Sequence, residues 1–587
     1  MRALFAFLLF YSGFSLAAEP CVAPLKLSEE DPGAPLARRS RPLHPGDPCE
    51  TADSNIQKSL AEILKSNGGP VIRPSGTGLV KGMDLVSRRF ALSGSDQKLL
   101  EKNGFVVPER LDVPGYGFAF HEIYQSEMPV YVSVDAILHA IFASNDAIIK
   151  DVEKKTILPA LIRILANLHC TLLRAGYDGE TAMDLDVYLT VARSLIEDRE
   201  VKSNTGVERE VSALVASATK ASGLEEVALF GRKRIVDFSQ YQPRGHYVDM
   251  PGFFRGVMWL SRLEFNLVSR SSRSSQPGDT PDPSETPREA KDAMALVDLI
   301  GRSGEMQSVI QLDHSWAVLA GKREDISPEN LSTLMRLKSI SVGRAESFQK
   351  LKDAIGTGYA RTIRMHYMPQ GSDHLPVIFT LLGPRAVADA QSLMPIVHPS
   401  VNSRTMISSV DAAYILGNDR AATYLTQDLL RFSTLRAKLD EARRNLNLDG
   451  LDLYSLWMSA IRSLSATSPS SPSYMKSEAF ADMRLNSTVA AFAQIKHNYV
   501  LLASQGYDEG GCTIPYGFVE PAVETYAALE RYAIRGRLAM VELKAGPEAV
   551  SYFQRTEKIL SALARISRWE REGRSLPPEA LRFLSMI

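Results

Sequence analysis

The sequence is short of cysteine, has no excess charge of either sign and lacks a long apolar run, and each shortage removes a class of function. Lysine and arginine number 67 against 68 acids, a net charge of -1. That leaves no bulk electrostatic footprint for nucleic acid or an anionic membrane, so no nucleic-acid partner is expected. The four cysteines, Cys21, Cys49, Cys170 and Cys512, form no CxxC pair, so a cysteine zinc site lacks its spacing. HExxH, GxSxG, GxxxxGK[ST] and a dinucleotide fingerprint in a strand–helix setting are all missing. Zincin, α/β-hydrolase, P-loop and Rossmann chemistry therefore lack their signatures, and no cofactor is implied. No segment reaches the ~20 apolar residues of a membrane-spanning helix, so no transmembrane segment is expected.

What is present begins with an export signal. Arg2 precedes the short apolar run Ala3 to Tyr11, and Ser15-Leu16-Ala17 sets small residues where a signal peptidase cuts. Cleavage after Ala17 makes residues 1–17 a signal peptide. Ala18-Glu19-Pro20 before Cys21 does not fit a lipid-anchor signal. The expected destination is the periplasm of a two-membrane cell, or the outside. In that oxidising compartment Cys21 and Cys49, which flank one Pro-rich segment, are candidates to pair. Cys170 lies in a helical pattern and reads as a buried small hydrophobe.

Residues 18–52 carry seven prolines and read as an extended leader. A Ser/Pro/Asp/Thr-rich stretch at 269–287 has no apolar period and reads as a solvated loop. It divides the remainder into expected helical lobes at 53–268 and 288–587, unless it is an insertion within one domain. Elsewhere the period is helical: Ile157, Leu161, Ile164, Leu165, Leu168 and Leu172 recur at three and four. Tyr188, Val191 and Leu195 repeat the pattern, as do Phe253, Val257 and Leu260, and long helices are expected over about 477–504, past Pro521 and past Pro547. Strand signals are limited to the neighbourhoods of Val236 and of Val377-Ile378-Phe379. The expected fold is all-α, or nearly so.

Four polar constellations can carry chemistry. Asp135 and His139, four apart, share a helix face and suit two metal ligands or an oriented base; Asp135 equally suits the dipole of a helix capped by Ser133. Arg255, Trp259 and Arg262 share a face that suits a carboxylate, phosphate or sugar, or else buried ion pairs, which Glu264 would need. Glu478 and Asp482 are one turn apart. His497 lies fifteen residues past Asp482, roughly 22 Å along a straight axis, so the two cannot share a metal. Finally, a Gly-rich loop from Gly510 leads to Glu520 and the helix-starting Pro521.

At five stretches the chain resembles a family of exported bacterial and archaeal proteins known as domain of unknown function 3160. They read PVYVSVDAILHAIF (129–142), RGHYVDMPGFFRGVMWLSRLEF (244–265), SSVDAAYILGNDRA (408–421), SEAFADMRLN with QIKHNYVLLASQGY (477–507), and YGFVEPAVETYAAL (516–529). The resemblance implies an exported helical protein and supplies no reaction, substrate or cofactor. It also implies acids where Gln494 and Asn498 stand here.

Three readings are compatible with these residues. One is a binding protein holding a small molecule or glycan in a polar cleft built from Arg255, Trp259, Arg262, His139, His497 and Glu520. Another is a hydrolase with His139 or Glu478 as base and Asp482 or Glu520 as acid, around a metal or without one. The third is a structural or partner-binding envelope protein without a small-molecule site.

Overall fold

The computed structural model describes residues 83–107, 133–268, 286–356, 377–397, 400–465 and 473–501, with isolated positions between 534 and 565. The signal peptide, the Pro-rich leader with Cys21 and Cys49, most of the 269–287 stretch, Cys512 and Glu520 lie outside the described residues. The helices expected past Pro521 and Pro547 are described only at isolated positions.

The described fold is mostly α-helical, with two small antiparallel two-stranded sheets. One sheet is a hairpin, Leu224–Leu229 with Arg232–Asp237. Its two turn residues, Phe230 and Gly231, both have positive φ, the geometry that matches strand twist in a two-residue turn. The other pairs Phe265–Val268 with Val377–Phe379. Both strand neighbourhoods read from the sequence are therefore strands.

The chain groups into two compact units, Met1–Ile137 with Thr467–Met483, and Leu138–Ala466 with Arg484–Ile587. In the smaller unit, helix Gly94–Asn103 starts with a reciprocal capping box between Ser93 and Asp96 and stops at left-handed Gly104. A side chain at 104 would strike Tyr474, and Phe480 packs edge-on against both Phe105 and Tyr474.

In the larger unit, helices on both sides of the 269–287 stretch pack together: Leu158–Leu172 and Gly179–Ile196 contact Pro287–Arg302. The pairing of strand 265–268 with strand 377–379 also joins the two sides. The apolar stripe from Leu161 to Leu172 is buried as its period requires. Helix Pro251–Arg262 crosses Gly179–Ile196 very closely. A Cβ on Gly252 would lie 2.4 Å from the Leu195 carbonyl oxygen, and one on Gly256 would lie 2.1 Å from Ile196 Cγ1.

The core also seals one histidine. His169 Nδ1 lies 2.9 Å from an Arg193 guanidinium nitrogen, which can only donate, so the ring proton is left for Nε2, 2.8 Å from Asp186 Oδ1. The other Asp186 oxygen accepts from Asn204 and Thr205. Burial works against the Asp186 anion, but the His169 and Thr205 bonds outweigh it and hold its pKa below the ordinary value. Next to it, Cys170 is not the free buried thiol expected: it is half-buried and disulfide-bonded.

Candidate functional site

Three of the resemblance-bearing stretches meet in the larger unit. The first, ending at Phe142, begins helix Val134–Val152, which runs on past it into a π turn, Glu153–Ile157. The Leu158 N–H reaches back five residues to the Glu153 carbonyl, and the extra residue in that turn re-aims the side chains around it. The second supplies a 3₁₀ turn, Gly245–Asp249, carrying His246 and Tyr247. The third supplies the end of helix Glu478–Asn498.

His246 lies between two acids. Its Nδ1 is 2.9 Å from Asp146 Oδ1 and its Nε2 is 3.3 Å from Glu153 Oε2. The Tyr247 hydroxyl donates to the other Glu153 oxygen at 3.0 Å. Two acceptors on one ring are both satisfied only by the imidazolium. Burial opposes that charge most strongly, yet Glu153 and Asp146 together outweigh it and raise the His246 pKa above the ordinary value. Glu153 is fully buried, and burial lifts its pKa despite the opposing bonds from His246 and Tyr247. The pair therefore holds its proton tightly.

This cluster reaches the surface through a second, exposed histidine, whereas the His169 network has one histidine, and it is buried. The His246 side chain is 3% exposed, whereas the His497 side chain is 48% exposed. His497 Nδ1 lies 3.9 Å from the same Asp146 oxygen that faces His246. Gly245 at φ +57 lets the two approach: its Cβ would sit 3.4 Å from the His497 ring. Beyond Phe142, whose ring lies 5.6 Å from His497 and 5.8 Å from His139, the exposed His139 meets the Gln494 amide at 3.3 Å. Asn498 is buried and donates to the Phe142 carbonyl at 3.0 Å. So the two amides that stand where the family resemblance implies acids both touch this helix.

A buried polar chain adjoins the cluster. Asn145 contacts the Tyr499 hydroxyl at 3.4 Å, and Tyr499 packs edge-on to Tyr454. Tyr454 donates to Asp389 at 2.9 Å, and Lys496 lies 2.6 Å from the other Asp389 oxygen, over the rings of Tyr454 and Phe492. Among the described residues no group of three or more His, Cys, Asp or Glu has a metal-holding arrangement.

The other sequence-selected residues stand elsewhere. Ser133 caps its helix by accepting from the Ala136 N–H, with Asp135 half-buried in that first turn. Glu478 is exposed and Asp482 half-buried, both in the smaller unit. Trp259 is 0% exposed and gives its indole proton to the Tyr188 carbonyl at 3.0 Å, so it packs in the core and offers no face to a ligand. Arg262 sits close enough to buried Tyr241 to act on it electrostatically, together with Glu264. Arg255 lines a separate cavity of about 420 Å³.

Asp146, Glu153, His246 and Tyr247 were missed as site residues. A signal existed for the two acids: His139, Asp146 and Glu153 are spaced by seven, two turns apart on one helix face.

A different cavity, of about 590 Å³, is lined mostly by polar groups, among them Lys322, Gln391, Asn445, Asn447, Asp449 and Asp452.

A helical body with a surface-connected imidazole–carboxylate cluster is the class these features define. Within it, the chain belongs to the family described as protein of unknown function, DUF3160, whose model matches residues 93–587. No curated protein and no solved structure matches the chain. Among the described residues no helix is long and apolar enough to cross a membrane.

Proposed function

We propose that the chain is an exported protein that carries out acid–base chemistry, of the kind hydrolases use, on a small polar substrate at the His497 end of the cluster. The observation that carries this reading is Asp146 Oδ1, which faces the buried His246 on one side and the exposed His497 on the other. An exposed imidazole backed by a carboxylate, itself held by a second group, is the arrangement that orients a general base. Export rests on the N-terminal pattern of residues 1–17 and agrees with a disulfide at Cys170, since such bonds persist in oxidising compartments.

A panel of p-nitrophenyl esters, phosphates and glycosides tests the chemistry. Turnover should fall at least about a hundredfold in His497→Gln and should be unchanged in His314→Gln, at an exposed histidine on helix Met306–Ala320. Equal turnover in wild type and His497→Gln counts against the reading. Fractionation of producing cells, with sequencing of the mature N-terminus, tests export: a chain beginning at Ala18 outside the cytoplasm is expected.

The 590 Å³ cavity favours a second reading, binding of a small polar molecule or glycan. Its size lies in the range of ligand pockets, and its amides and charges suit hydroxyl-rich ligands. Thermal-shift screening with sugars tests it, and Asn447→Ala with Asp452→Asn should abolish any shift found.

A further inference from the structure

We propose that the cavity beside Arg255 binds a small organic anion, a carboxylate with an apolar body, independently of the chemistry assigned to the histidine cluster. The cavity, about 420 Å³, lies among helices Gly179–Ile196, Glu208–Lys220 and Pro251–Arg262. Leu195, Val211, Val215 and Ala216 make its apolar wall, and Arg255 is a cation within it.

Arg255 is half-buried, and its Nε is sealed from solvent without a hydrogen-bond partner. Among the described residues no carboxylate forms an ion pair with its guanidinium. Two acids, Asp198 and Glu200, also line the cavity. Both are exposed, and neither is within ion-pair distance of Arg255. The other nearby arginine, Arg199, is already paired with Glu197.

A guanidinium presents a planar fork of donors that matches a carboxylate. Among the described residues no carboxylate supplies the counter-charge of this guanidinium, and an anionic ligand in the cavity would supply it at the part of the side chain that faces the cavity. The apolar wall gives the rest of the ligand somewhere to leave water. Head and wall together select a fatty or aromatic carboxylate over a free phosphate, which would find no use for the wall, and over a neutral hydrocarbon, which would leave Arg255 unpaired. Sequence reasoning singled out Arg255 as a ligand-binding residue, but beside Trp259; the structure instead pairs it with the 208–220 helix across a cavity.

The test uses the full mature chain and two matched probes. Calorimetric titration with octanoate and with octan-1-ol compares the same chain length with and without the charge. Octanoate should bind at least about tenfold more tightly, the worth of a charge-assisted hydrogen bond. In Arg255→Gln that advantage should vanish while octan-1-ol affinity stays within about twofold. Val215→Phe, which narrows the apolar wall, should weaken both. Equal affinities of the two probes for the wild type overturn the proposal, even if Arg255→Gln fails to fold. So does an octanoate preference that survives Arg255→Gln, or no binding of octanoate at all.

Discussion

Asp146 and His246 are a hundred residues apart in the chain, and their Oδ1 and Nδ1 atoms are 2.9 Å apart. That contact ties the 134–152 helix to the 3₁₀ turn at 245–249 and holds the imidazole ready for a second acid, Glu153, on its far side. The result is a histidine whose charged form the fold prefers.

Stability should therefore fall as pH rises. The His246 pKa is raised, so its contribution is complete below the ordinary imidazole value of about 6.5 and is lost as pH climbs through the folded value. Glu153, also raised, acts with the same sign, beginning near the ordinary carboxyl range. Urea unfolding at pH 5.5, 7 and 8.5 should give a declining series. His246→Gln should flatten it above pH 6.5 and cost about 3–5 kcal/mol at pH 5.5, because it strands a buried carboxylate. An equal slope in the variant would show that another group sets it.

Asp292 offers an opposite kind of test. Its side chain is fully buried, and burial first, then neighbouring Asp184, pushes its pKa up to about 9. The folded state keeps it neutral while the unfolded state ionises near 4, so wild type loses stability progressively between those values. Asp292→Asn removes that loss. The variant should gain on wild type as pH rises from 4.5 to 8.5, measured as the difference between their unfolding free energies. A difference independent of pH would mean that Asp292 titrates normally.

The crossing of helices 179–196 and 251–262 depends on two glycines. Gly252→Ala meets a backbone carbonyl, which cannot move aside, whereas Gly256→Ala meets the Ile196 side chain. Each should destabilise by about 1–3 kcal/mol, with Gly252→Ala the worse. Pairing Gly256→Ala with Ile196→Val should recover part of its loss, and the same second change should do nothing for Gly252→Ala. Chemical unfolding of the four variants reads this out.

Much of the scaffold was legible because burial leaves a period. Leu161, Ile164, Leu165, Leu168 and Leu172 recur at helical spacing and are all buried. The family could be read from ordered stretches such as RGHYVDM and QIKHNY, and the family match bears it out. The site was legible only at its rim. His139 and His497 stand out as histidines, but Asp146 and Glu153 look like the solvated acids of any amphipathic helix. Nothing in EKKTI announces the π turn that begins at Glu153. For Trp259 the difficulty is different. Helix Pro251–Arg262 is buried on most of its circumference, so sharing a face with Arg255 does not separate a ligand wall from core packing.

If Asp146 links the buried His246 to the exposed His497, Asp146→Asn and His497→Gln remove the same working unit, and turnover of the p-nitrophenyl panel by the two single variants and the double variant measures this. Losses from groups that act as a unit do not multiply. The double variant should therefore be no slower than His497→Gln alone, with Asp146→Asn by itself at least about tenfold below wild type. Wild-type turnover in Asp146→Asn, or a double variant whose loss is the product of the two single losses, would show that the two side chains act independently.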